Sequence, residues 1–280
     1  SATMALAADY TRVEQRTKAS AIIGASIGVS FALALVLGPV LAAWGGLSRV
    51  FETTAILGGL GLLVVVFWLP PTPDISEAGR SHIADRERLG EALWGQGIGA
   101  LYGSIFCLHL LLMAAFTAIP SVMINEVALP PEQHAWMYLM TLLGALPGVA
   151  ILVRRHRRMT DPRGLIAVAI LLTVAGLVVS LWSLSVWTLG LGLVLFFAGF
   201  TALETILPAL VSIFAPTTLR GTAMGIFSSA QFLGVFAGGA LGGNALYWGG
   251  YEGLVAAVLG LTLIWLFGLW RFSHAPVSTT

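Results

Sequence analysis

The chain has 280 residues, of which 58% are apolar and 10% charged, and its mean hydropathy is +0.92. A soluble domain of that composition would be coated in hydrocarbon, so the solvent it is built for is lipid. Formal charge is +1 and the basic residues form no continuous stripe, which excludes nucleic acid as an expected partner.

The opening stretch SATMALAADY is followed by the charged segment TRVEQRTK and then by an apolar run too long for a signal peptide. The short apolar opening therefore reads as the tail of an earlier helix. A bilayer core takes about 20 apolar residues per helix. Runs near that length occur at 21–44, 53–69, 98–119, 135–153, 164–182, 186–214, 221–243 and 251–270. The expectation is eight spans in an all-α transmembrane protein. The spans at 53–69, 164–182 and 251–270 carry no deep charge and suit lipid-facing positions. Between the second and third spans, residues 70–96 form the longest polar stretch, with charges spaced as on a surface helix, and read as a solvated linker between two bundles.

Orientation follows from the basic residues, which cytoplasmic loops retain. Arg12, Arg16, Lys18, Arg80, Arg86, Arg88, Arg154, Arg155, Arg157, Arg158, Arg163, Arg220 and Arg271 fall on one side, and of the 14 Lys and Arg only Arg49 falls on the other. Both termini are thus expected on the cytoplasmic face. Trp44, Trp136, Trp182, Trp187 and Trp270 sit at span ends, where amphipathic rings prefer the headgroup layer. The cluster RRHRR at 154–158, including Arg154, Arg155 and Arg158, has its simplest account in holding this loop inside, although anionic lipid would suit it as well.

Placing Arg16 over Arg220 aligns the first and seventh spans at an offset of 204. Ser30 then meets Gly234, Ala34 meets Gly238 and Gly38 meets Gly242, so both spans carry a small-xxx-small face of the kind that lets helix backbones approach closely. If the third span opens the second half of a parallel repeat, its counterpart lies roughly 110 residues before Ser1, which implies four further helices. The expected domains are 1–69 as the end of an N-terminal bundle, 70–96 as linker and 97–280 as a C-terminal six-helix bundle.

An ionisable side chain in hydrocarbon costs about 2.5–3.5 kcal/mol on insertion scales, so it should face protein or water. Two are deep. Glu204 lies ten residues from the inner end of its span, roughly 15 Å at 1.5 Å per residue and close to the midplane. His109 is equally far from the outer end of its span, and Gln231 falls at the same depth on a third helix. A carboxyl removed from water favours its neutral form, so Glu204 suits proton coupling or substrate binding as water access alternates. His109 and Gln231 are the companion candidates, with interhelical hydrogen bonding as the purely architectural alternative for all three. Gly38 and Pro39 should bend the first span. The lone cysteine, Cys107, sits in an apolar run and suits packing. No metal spacing or cofactor fingerprint is present, so no metal or cofactor is expected.

The stretch GASIGVSFALALVLGPVLAAWGG at 24–46 resembles the antiporter motif on helix five of the drug:proton antiporter branch of the major facilitator superfamily. FCLHLLLMAAFTAIP at 106–120 and GTAMGIFSSAQFLGVFAGGALGG at 221–243 extend the similarity to helices seven and eleven. The resemblance implies a partial major facilitator fold, eight of twelve helices, in the inner membrane. It assigns Gly28, Ala34, Gly38 and Pro39 to the packing face of the motif. The implied function is secondary active transport: proton-coupled export of a small lipophilic or amphipathic compound, with that molecule, protons, the bilayer and the missing N-terminal helices as partners. The family's signatures on its first four helices would lie before Ser1, and the glycine pair of the motif is displaced to Gly45 and Gly46. Two other classes stand beside this reading: a membrane receptor or subunit that binds without transporting, and an intramembrane enzyme with His109 and Glu204 as acid and base. No HExxH, GxSxG or paired-aspartate motif supports the enzyme.

Overall fold

A computed structural model describes residues 13–68, 90, 97–156, 161–215 and 219–271. The 70–96 connector, apart from Gly90, and Arg158 lie outside the described residues, as do Arg12, Arg80, Arg86, Arg88 and Arg157. Six helices carry the described chain: α1 (Val13–Trp68), α2 (Ile98–Asn125), α3 (Pro131–His156), α4 (Arg163–Leu181), α5 (Val186–Phe214) and α6 (Arg220–Arg271). Each contains a stretch long and apolar enough to cross a membrane.

Two of the six are too long to be one straight span. At 1.5 Å per residue the 56 residues of α1 would run roughly 84 Å, against about 30 Å of hydrocarbon. Both long helices are broken by glycine. In α1 the backbone leaves helical geometry at Gly45 and Gly46, and Gly46 has φ +71°. In α6 it does so at Gly250, with φ +58°. Positive φ is costly for any residue with a Cβ and nearly free for glycine, so these positions reverse or redirect the chain where a helix would otherwise continue. The break at Gly45 and Gly46 falls in the gap between the first two expected spans, 21–44 and 53–69. Pro39 itself lies within the helix, since a proline removes one backbone donor whereas the glycine pair frees two residues' dihedrals. Just beyond this break the Arg49 guanidinium lies 5.2 Å from the Trp44 ring centroid and pairs with Glu52 at 2.9 Å.

The chain divides into two compact units. One holds α1 together with Pro130–Leu139; the other holds α2, α4, α5, α6 and α3 from Met140 onward. Within the second unit α2 packs most closely on α6, and α4 on α5. Both contacts are made through glycine. A Cβ on Gly234 would strike the carbonyl of Phe106, one on Gly238 the carbonyl of Leu110, and one on Gly242 the backbone of Ala114. The small-xxx-small face read from the seventh span is therefore the face that α6 turns to α2. On the other pair, a Cβ at Gly176 would meet the backbone of Phe196, and at Gly199 the carbonyl of Ala169. Lipid tails are as apolar as leucine, so this close approach replaces the hydrophobic drive that a soluble bundle would use.

Hydroxyl groups in these interfaces satisfy themselves along their own helices. Thr173 Oγ1 donates to Ala169 O at 2.8 Å and Ser180 Oγ to Gly176 O at 2.8 Å. One of these hydroxyls also accepts from another helix: Trp265 Nε1 donates to Ser104 Oγ at 2.9 Å, and Ser104 in turn donates to Ala100 O at 2.7 Å. Outward positions remain apolar, as at Leu171 and Val168 of α4 and Leu263, Ile264 and Phe267 of α6.

A pair of neighbouring glycines separates packing from propensity. Gly238→Ala should lower the unfolding temperature in detergent, costing about 1–3 kcal/mol, because the new methyl group displaces the Leu110 backbone. Gly239→Ala has open space around it and should be neutral or stabilising by up to ~1 kcal/mol. Equal melting temperatures for the two variants would show that α6 does not approach α2 through this face.

Candidate functional site

Three helices of the second unit bring one polar group each to a single point. His109 comes from α2, Glu204 from α5 and Gln231 from the first segment of α6. Counting residues from span ends had placed all three at one depth, and the structure joins them. The imidazole is buried and forms the hub. Its Nδ1 lies 3.2 Å from Ile105 O, one turn earlier on the same helix, and its Nε2 lies 2.8 Å from Gln231 Nε2. The same Nε2 stands 3.2 Å from Glu204 Oε1. Phe200 closes the ring edge-on, with centroids 5.7 Å apart, and continues into a stack with Phe196 at 6.0 Å.

The hydrogen-bond roles follow from these partners. Ile105 O can only accept, so Nδ1 carries a hydrogen and donates it. A neutral imidazole then presents a bare lone pair at Nε2, and the Gln231 amide nitrogen donates to it. Glu204 Oε1 comes to the same nitrogen from the side. It is within ion-pair distance, yet it is buried and makes no hydrogen bond of acceptable direction. The two facts agree, because the amide already occupies the axis of the lone pair. An ionised carboxylate 3.2 Å from a lone pair would be repelled, so the approach is favourable only when a proton lies on the carboxyl or on the imidazole. The close approach thus calls for a proton on one of the two groups. The Glu204 side chain retains 28% exposure against 7% for His109, so it is the less enclosed of the two.

The other described sequence-derived positions lie on α1 and α3. Ala34, Gly38 and Pro39 lie on α1, where Ala34 is exposed and a Cβ on Gly38 would meet no atom within 4 Å. Gly28 is helical. Arg154 and Arg155 are exposed in the last turn of α3, where cations oppose the negative end of the helix dipole. Phe200 was missed by sequence reasoning, although its spacing one turn before Glu204 puts it on the same helix face. Ser104 and Trp265 were also missed, since nothing local marks a tryptophan on one helix as the partner of a serine on another. Among the described residues, no group of three or more His, Cys, Asp or Glu side chains could hold a metal ion.

Comparison with known proteins fits a membrane transporter. The inner membrane transport protein YajR of Escherichia coli (strain K12) is 36% identical over 271 residues, covering 95% of this chain and 58% of that protein. An uncharacterized transporter of Buchnera aphidicola subsp. Acyrthosiphon pisum is 28% identical over 237 residues, 84% of this chain and 60% of its own length. A second, from Buchnera aphidicola subsp. Baizongia pistaciae, is 27% identical over 242 residues, 86% and 61% of the two chains. The chain therefore spans about three-fifths of the length of these relatives. All three are named as transport proteins, which sets aside the enzymatic reading of the His–Glu pair. The family model described as Major Facilitator Superfamily matches residues 1–239, and the chain belongs to that superfamily.

Proposed function

We propose that this chain forms the larger part of a proton-coupled secondary transporter of the inner membrane, one that exports a small lipophilic or amphipathic compound by alternating access. The observation that carries this reading is the contact between Glu204 Oε1 and His109 Nε2 at 3.2 Å, which is favourable only with a proton in place. Deep in a membrane span, an acid of this kind is costly and is retained where a proton or substrate passes. Loss of the proton makes the carboxylate repel the Nε2 lone pair, which favours moving α5 against α2. Binding or releasing a proton thereby biases two helix arrangements, the requirement for coupling in a rocking mechanism.

In this reading the breaks at Gly45–Gly46 and Gly250 divide α1 and α6 into two spans each. The chain then has eight of twelve helices: 1–69 ends the first bundle, 70–96 is the connector and 97–280 the second, six-helix bundle. The repeat supports it. On α6 the face Gly234, Gly238 and Gly242 is covered by α2. Its counterparts Ser30 and Ala34 on α1 are exposed, as expected of a helix whose own equivalent of α2 belongs to the N-terminal bundle before Ser1. Gly28, Ala34, Gly38 and Pro39 would form the antiporter-type packing face there. Both termini would be cytoplasmic, with Arg154, Arg155 and Arg158 in a cytoplasmic loop.

Two measurements test the reading. In the full-length protein reconstituted in proteoliposomes, Glu204→Gln keeps the shape and polarity of the side chain but cannot release a proton. Proton-linked flux should fall by about tenfold or more with melting temperature maintained; retained coupling would reject Glu204 as the proton carrier. For topology, single cysteines replacing Ser48 and Arg155 in a Cys107→Ala background should react with an impermeant thiol reagent from opposite sides. Labelling from the same side would overturn the proposed span count.

A further inference from the structure

The arrangement around His109 leaves one polar atom in deficit. Glu204 Oε1 is buried without a hydrogen bond, while Gln231 spends an amide hydrogen on the Nε2 lone pair 2.8 Å away. An unsatisfied buried oxygen is a marked cost in a protein interior. The protonation of the pair depends on which end of the Gln231 amide faces the ring. With nitrogen inward, Nε2 must be an acceptor, and the proton of the pair belongs on Glu204. Rotated by half a turn, the amide presents its oxygen, and Nε2 must then carry hydrogen. That hydrogen lies on the axis toward the amide oxygen, the ring becomes an imidazolium, and the ionised Glu204, 3.2 Å away at the side, serves as its counter-charge.

We infer that Gln231 is a positioning residue whose amide orientation selects between a neutral imidazole–carboxylic acid pair and an imidazolium–carboxylate pair at His109 and Glu204. Both arrangements hold the same number of protons. The amide does not bind a proton; it determines which partner holds it. Among the described residues, the groups recorded against the imidazole are Glu204 from α5, the Gln231 amide from α6, the Ile105 carbonyl from α2 and the uncharged edge of Phe200. Of these only Glu204 titrates. Gln231 reaches the ring from α6, and one turn further along α6 Gly234 is pressed against the Phe106 backbone. A shift of α6 along that contact would move the amide relative to the ring, so the position of α6 and the position of the proton are linked through one side chain. This inference rests on the pair holding the proton proposed above, and adds the residue that governs where on the pair it sits.

Ring-nitrogen NMR distinguishes the arrangements directly. The protein, labelled with 15N-histidine and placed in lipid nanodiscs, has five histidines, and the His109 signals are those lost in His109→Asn. At neutral pH the parent should show a protonated Nδ1 and an unprotonated Nε2. Gln231→Glu offers the ring only acceptor oxygens when ionised, and should move the Nε2 signal into the protonated range. Gln231→Leu removes the competing donor, leaving Glu204 as the partner of Nε2, and should move the signal part of the way. An Nε2 signal identical to the parent in both folded variants would overturn the inference, as would a lowered melting temperature with no spectral change. The Glu204→Gln flux assay stays separate. Retained coupling there with a moving Nε2 signal removes the transport role and leaves control of the ring by Gln231, whereas an unmoved signal with lost coupling does the reverse.

Discussion

Hydrocarbon offers no hydrogen bond, and the rest of this structure is arranged around that absence. A polar side chain in a span must find its partner inside the protein. Most of the hydroxyls take the nearest solution. Thr262 Oγ1 donates to Val258 O and Thr205 Oγ1 to Thr201 O, four residues back along the same helix, as Thr173, Ser180 and Ser104 also do. Such groups are satisfied along one helix, and of these Ser104 also accepts from Trp265 Nε1 of α6. His109 and Gln231 are different, because their side chains meet across helices and leave a carboxyl oxygen beside them unsatisfied.

Glycine makes that meeting possible. His109 lies on α2 between Phe106 and Leu110, the two residues whose carbonyls sit against Gly234 and Gly238 of α6. With no Cβ on α6 at those positions, the helix backbones come together, and Gln231, one turn before Gly234, is short enough to reach the ring at 2.8 Å. A larger residue at either glycine would separate the helices and open that distance. The architecture of the α2–α6 contact and the geometry of the polar cluster are therefore one feature, set by three small residues and a polar amide at helical spacing.

Much of this was legible in the sequence because a membrane turns residue number into depth. Each helical residue rises by about 1.5 Å, so counting from span ends placed His109, Glu204 and Gln231 at one level before any contact was known. The small face at Gly234, Gly238 and Gly242 was legible for a similar reason, since a four-residue spacing marks one side of a helix. Rotation about the helix axis was not legible across helices. The α4–α5 contact at Gly176, Gly192 and Gly199 has no four-residue pattern, and the Trp265–Ser104 bond joins residues 161 positions apart. The break at Gly45–Gly46 falls between the expected spans 21–44 and 53–69, while Pro39, the more conspicuous residue, lies within the helix. In a membrane a proline's lost donor is tolerated, whereas a glycine pair at a span end opens positive φ.

The unsatisfied oxygen of Glu204 bears on why such a cluster suits a moving protein. A buried polar atom without a partner costs about 1–3 kcal/mol. Ionising the pair would give that oxygen an imidazolium as counter-charge, but charge separation in a weakly polar interior opposes it. Opposed terms of similar size keep two arrangements close in free energy, and close states are what a proton or a bound molecule can redistribute with a differential affinity of a few kcal/mol. A second carboxylate in place of Gln231 would fix the imidazolium, and a leucine would leave the pair without its competing donor. An amide, which turns one end to a lone pair and the other to a hydrogen, is compatible with both states and fixes neither.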